Sequence, residues 1–130
     1  MLATPLDIVV AYLSNVESAI KSLKNIHIEK YEEEYLTISR VNLRIRIRFL
    51  TGSLLEISEA IFAENDILNF LSYRYHFQDS KNTLVFRYDN TPHFPKLQNF
   101  PNHKHLPTEV IGVEKPVLIK VIEEVKLYAI

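Results

Sequence analysis

Val41-Asn42-Leu43-Arg44-Ile45-Arg46-Ile47-Arg48-Phe49 alternates apolar and polar residues without a break through nine positions. A strand sends successive side chains to opposite faces, so this run buries its apolar set only as a half-buried strand with the arginines on the far side. The same period returns downstream. Thr51-Gly52-Ser53 reads as a hairpin turn, with glycine supplying the permissive backbone. Leu55, Ile57 and Ile61 continue as a second strand with Glu56 and Ser58 on its other face, and Asn65-Asp66 is a turn. Tyr73, Tyr75 and Phe77 alternate with Arg74, His76 and Gln78. After the turn residues Gln78-Asp79-Ser80-Lys81-Asn82, Leu84, Phe86 and Tyr88 alternate with Val85, Arg87 and Asp89. Consecutive strands with short turns pair antiparallel, which gives a meander of four to five strands.

The ends of the chain carry a different period. Thr4-Pro5-Leu6-Asp7 has the chemistry of a helix start: a capping hydroxyl, proline at the first helical position and a carboxylate near the positive end. Leu6, Val9, Val10, Leu13, Val16, Ile20 and Leu23 follow at three- and four-residue steps, and this helix is expected to end near Asn25. Ile26 to Tyr31 reads as a short strand and Glu32-Glu33-Glu34 as a solvated turn, unless the first helix runs on through Tyr35. Val110-Ile111-Gly112-Val113 fits a short strand or bridge. Pro116 is expected to start a closing helix with Val117, Leu118, Val121, Ile122 and Val125 as its apolar stripe. The expectation is a single α+β domain over residues 1–130, with both helices packed on one face of the sheet. A composition of 47% hydrophobic and 24% charged residues argues for a folded chain, and a net charge of −1 excludes a histone-like binder. The absence of cysteine excludes disulfides, thiolate metal sites and cysteine nucleophiles. With no basic stretch before an apolar block and no apolar run of membrane length, a soluble cytoplasmic protein is expected.

The alternation that defines the core also defines the opposite face. Arg44, Arg46 and Arg48 belong there with Arg74, His76, Arg87 and Asp89 if the registers agree. Such a face is either a solvated surface with Glu56 and Asp89 paired among the arginines, or a basic platform whose guanidinium groups fork onto phosphate.

From Phe86 to Leu106 neither period holds. The stretch contains three of the five histidines, three of the six prolines and no glycine. Prolines remove ladder donors, so the expectation is a long, docked loop carrying His93, His103 and His105 beside Asp89, Arg87 and Lys104. In an extended His103-Lys104-His105 both imidazoles point to the same side. Three histidines so placed can act as acid and base near neutral pH, ligate a divalent metal with Asp89, or hydrogen-bond the loop into shape, docking Phe94 and Phe100 over the sheet. The spacing matches no standard zinc pattern, and neither a metal nor another cofactor is expected from it.

Phe86-Arg87-Tyr88-Asp89-Asn90, Pro92-His93, Phe100-Pro101 and His103-Lys104-His105, with Tyr75-His76-Phe77-Gln78-Asp79 upstream, resemble the TumE-type family of small prokaryotic proteins. The specific resemblance covers roughly residues 73 to 107. It implies a toxin component of a toxin–antitoxin pair, typically encoded beside a helix-turn-helix antitoxin. Phe94 and Asn102 stand where that family often has a second histidine, which narrows the candidates to His93, His103 and His105. The expected function is a toxin acting on RNA or another nucleic acid, with metal-independent ribonuclease chemistry as one form. One of His103 and His105 then takes the 2′-hydroxyl proton, and the other, or His93, protonates the leaving oxygen. Lys104 and Arg87 stabilise charge on phosphate and Asp89 orients a histidine. The alternative is a non-catalytic module that binds nucleic acid or protein through the basic face.

Overall fold

The computed structural model describes residues 3–129. Its order is α1 (Pro5–Lys21), β1 (Ile26–Thr37), β2 (Arg40–Phe49), β3 (Leu54–Glu64), β4 (Ile67–Gln78), β5 (Leu84–Asp89), β6 (His103–His105), β7 (Val110–Gly112) and α2 (Leu118–Lys126). The seven strands form one antiparallel sheet in sequence order. The α+β meander between two helices is therefore as expected, with more strands than the four to five read from the sequence. Strand β7 falls where a short strand or bridge was expected at Val110 to Val113, whereas β6, three residues long, is too short for alternation to announce it.

Turn chemistry fixes the registers. Asn65 and Asp66 both take positive φ, the conformation of a two-residue hairpin whose twist matches its strands. Gly52 has φ +94°, and a Cβ there would also stand 2.8 Å from that of Ser80. Asp79 Oδ1 accepts from the backbone N–H groups of Lys81 and Thr83, closing the turn before β5. Helix α1 has the expected capping box between Thr4 and Asp7. It ends at Lys21, earlier than expected, because Asn25 turns the chain into β1 at φ 59°. Helix α2 begins at Leu118, with the exposed Val117 at its cap.

Both helices pack on one side of the sheet. Val9, Leu13, Val16 and Ile20 of α1, with Leu118, Val121, Ile122 and Val125 of α2, close over Leu43, Ile45, Ile47, Ile57, Ile61, Tyr75, Phe77 and Phe86. Glu32-Glu33-Glu34 is strand and not a turn, with Lys30 pairing Glu32 at 3.5 Å along the same strand. The run lies inside β1, where Glu32 is opposite Arg44, Glu33 accepts from the Tyr31 hydroxyl, and Glu34 accepts from Asn42. Leu71 is an extra residue in β4, between Ser72 opposite Ala60 and Phe70 opposite Ile61, and it is exposed. This bulge lets one strand keep Phe70 and Tyr73 on the core side despite an interrupted alternation.

Glu59 faces the core and is 2% exposed, accepting hydrogen bonds from the hydroxyls of Tyr12 and Tyr75. Burial pushes its carboxyl above the ordinary range, opposed by the two hydroxyls and by Lys115. A carboxyl with a raised folded pKa binds its proton more tightly when folded, so its contribution is full at low pH and is lost as pH rises through the raised value. Unfolding in urea at a series of pH values should therefore show the wild type losing stability relative to Glu59→Gln as pH climbs from the ordinary carboxylate range. Phe77→Ala, by contrast, should cost about 3–5 kcal/mol at every pH, because Phe77 is fully buried among Phe49 and Phe86.

Candidate functional site

The polar face of the sheet is organised in cross-strand rows. One runs Lys30, Arg46, Glu56, His76, Arg87, His105; the next runs Glu32, Arg44, Ser58, Arg74, Asp89, His103. Residues directly opposite in a ladder share a face. Arg44, Arg46, Arg48, Arg74 and Arg87 thus stand on one side with His76, Asp89, His103 and His105.

The arginines are not equivalent. Arg46 bridges Glu29 at 2.7 Å and Glu56 at 3.1 Å, and Arg48 meets Glu29 at 3.1 Å. Arg44 and Arg74 are exposed and form no ion pair among the described residues. They line a cleft of about 300 Å³ with Lys30, Arg46, Glu56 and Ser58. The β1 side of this face is therefore neutralised and its centre is open. His76 Nε2 lies 2.9 Å from Gln78 Oε1, its Nδ1 is buried without a partner, and burial lowers its pKa.

At the β5–β6 end the rows converge on a cluster. Asp89 is opposite His103 and Arg87 is opposite His105. His103 Nε2 is 2.9 Å from Asp89 Oδ1, His105 Nε2 is 3.4 Å from Oδ2, and the two Nε2 atoms are 3.1 Å apart. These ligand-type atoms all lie within 4.8 Å of one another, close enough to share one metal ion. Asp89 and His103 are buried, while His105 keeps a fifth of its side chain open at 20%. Pro101, which follows a cis peptide bond from Phe100, offers its carbonyl to His103 Nδ1 at 2.9 Å. A carbonyl only accepts, so Nδ1 carries the hydrogen and Nε2 is the atom turned to Asp89 and His105. Burial holds the His105 pKa below its ordinary value; Arg87 adds to the effect and Asp89 opposes it. Arg87 Nε is buried without a hydrogen-bond partner, 3.8 Å from Asp89 Oδ2.

Strand geometry sorts the remaining candidates. The alternation that unites His103 and His105 turns Lys104 to the helix side, where its Nζ meets Glu124 at 2.7 Å and lies over the Phe86 and Tyr88 rings. Lys104 is not brought to the histidine pair. His93 is exposed and lies beyond Phe94, whose ring centre is 6.4 Å from that of His93, 5.0 Å from His103 and 5.9 Å from His105. Phe94 is half-buried against the pair, and Phe100 remains 44% exposed. The loop before β6 is tied down at both ends: Asn90 Oδ1 accepts from the Tyr73 backbone and Asn102 Oδ1 from the Tyr73 hydroxyl.

One contributor left no signal in the periodicity. Gly112 lies opposite His103 in the β6–β7 ladder, and a Cβ there would fall 2.1 Å from the Gln98 carbonyl oxygen. The loop can lie beside His103 because β7 has no side chain at this point. Gly112→Ala should therefore lift the loop away from the sheet. The expected readouts are a loss of about 1–3 kcal/mol in urea unfolding and new proteolysis between residues 90 and 102.

Among the described residues no helix is long and apolar enough to cross a membrane. No curated protein and no solved structure matches the chain. The family model described as toxin TumE matches residues 16–128, taking in every strand and α2. The resemblance carried by residues 73 to 107 thus extends over nearly the whole sequence, and the chain belongs to the TumE toxin family, whose membership implies an antitoxin partner.

Proposed function

We propose that this toxin acts, as one domain in the cytoplasm, by cleaving RNA at the Asp89–His103–His105 cluster. The domain expectation's end residues, Met1, Leu2 and Ile130, lie outside the described residues. The observation that carries the reading is the row Arg44, Ser58, Arg74, Asp89, His103, which leads from two unpaired guanidinium groups to two imidazoles and a carboxylate on the same open face. An RNA backbone laid along that row meets planar donors for its phosphates first and proton-handling groups last. Arg87 stands beside the cluster, its Nε 3.8 Å from Asp89 Oδ2, and its guanidinium is suited to a phosphoryl oxygen. His93, on the outer side of Phe94, and His76, beside Arg87 in the ladder, are in reach of a neighbouring nucleotide rather than of the reacting phosphate.

The division of labour read from the sequence needs one change. The attacking and leaving oxygens of a phosphoryl transfer lie roughly in line on opposite sides of phosphorus. Two Nε2 atoms 3.1 Å apart cannot flank such a centre. His103 and His105 therefore work as one unit with Asp89, on one side of the phosphate. The antitoxin is taken to be a helix-turn-helix protein, which the neighbouring reading frame tests directly.

Purified protein incubated with total RNA should degrade it, and His105→Gln should slow cleavage by about 100-fold or more. Arg44→Ala and Arg74→Ala should each weaken RNA binding and lower its salt slope by about one. Intact RNA at high protein concentration sinks the ribonuclease reading. If, in addition, RNA binding survives His105→Gln but fails with the arginine variants, the non-catalytic module takes its place.

A further inference from the structure

We infer that Asp89, His103 and His105 form a site for one divalent first-row transition-metal ion. The argument starts from protons. Asp89 offers carboxylate oxygens, which accept, and His103 has its one neutral-state hydrogen on Nδ1, committed to the Pro101 carbonyl. Its Nε2 lone pair then faces Asp89 Oδ1 at 2.9 Å and His105 Nε2 at 3.1 Å. Of the three atoms that meet there, Asp89 Oδ1 and His103 Nε2 accept, and only His105 Nε2 can bring a hydrogen, in one of its two neutral tautomers. A single proton joins two of them. A metal ion joins all three.

The distances fit that ion. With bonds of about 2.0–2.1 Å, neighbouring ligand atoms stand about 3.0 Å apart in an octahedron and about 3.4 Å apart in a tetrahedron. The separations here are 2.9, 3.1 and 3.4 Å. Two imidazoles and one carboxylate suit zinc, iron, manganese or nickel better than calcium or magnesium, which favour oxygen. The Pro101 carbonyl does for His103 what the outer partner of a ligating histidine usually does, fixing the tautomer and aiming the ring. Three protein ligands leave positions open, as in sites that bind a water or a substrate. His105 is the most accessible of the three and marks the open side, and the unpartnered Arg87 Nε lies next to it in the ladder.

Sequence spacing hides such a site. Only His103 and His105 are near neighbours in the chain, and the third ligand arrives from β5 through the register. In RNA cleavage, which rests on the proposed function, the ion would occupy Nε2 of both histidines, so it would polarise a phosphoryl oxygen or activate a water in place of imidazole acid–base chemistry. Its binding does not rest on that function.

The test uses the full chain, stripped with a chelator and then titrated separately with zinc, manganese and cobalt(II). Binding is read by calorimetry, by metal content after gel filtration and by the visible spectrum of the cobalt form. One ion per chain is expected, with affinity at least about 100-fold weaker in His105→Gln. His105 is the ligand least buried, so that variant should keep the wild-type circular dichroism spectrum. His27→Gln, at an exposed histidine in β1, should bind like wild type. No stoichiometric binding, or binding unchanged in a folded His105→Gln, overturns the site. RNA cleavage on the same samples is a separate readout: a bound ion without cleavage upholds the metal site and sinks the ribonuclease reading, whereas cleavage without a bound ion does the reverse.

Discussion

The contact on which the rest of this molecule depends is the antiparallel register of β2 through β6. Each strand must present its even set to water and its odd set to the helices, or the reverse. A slip of one residue in any ladder would push arginines into the core and Ile45, Tyr75 or Phe86 into solvent. The penalty for that error is large and repeated along every strand, so the register is firmly held. The polar face inherits this precision without contributing to it. Asp89 meets His103 because Tyr88 and Lys104 are held on the other side, where Glu124 accepts from the Tyr88 hydroxyl and from Lys104 Nζ.

Burial on the two faces follows different physics. On the helix side it is almost entirely apolar, with Glu59 a buried carboxyl among it, satisfied by two tyrosine hydroxyls. On the open side the buried groups are Asp89 and His103, which are covered by the loop and by the Phe94 ring. Buried polar groups that are only partly satisfied are costly. The loop that shields them is therefore fastened by Asn90, Asn102 and the missing side chain of Gly112 rather than by a deep apolar anchor. This arrangement leaves His105 reachable from solvent.

The charge on the open face is graded. Near β1, glutamates occupy Arg46 and Arg48; in the centre, Arg44 and Arg74 form no ion pair among the described residues; at β6 an acidic group is enclosed by imidazoles. Arginines that are already paired must break those contacts to bind phosphate, and unpaired ones need not. The guanidinium groups with least to break are thus those in the middle of the sheet.

The sequence by itself determined the period of each segment, and therefore the faces. Val41 to Phe49 has one way to hide its apolar set, and the paired turns make its neighbours antiparallel. The family could be read from residues 73 to 107 because motif residues keep their order in the chain. Other features were decided only by the tertiary structure. Glu32 to Glu34 became strand because β1 pairs along the whole length of β2, which the acidic run itself does not reveal. A three-residue strand such as β6 has no period to detect. Lys104 left the candidate site because an extended segment alternates sides, whereas its sequence neighbours suggested one cluster. Gly112 mattered because Gln98, distant in the chain, needed its space. Local sequence sets which way a side chain can point, through backbone geometry. What it meets there depends on long-range register, and that is fixed only when all the strands are in place.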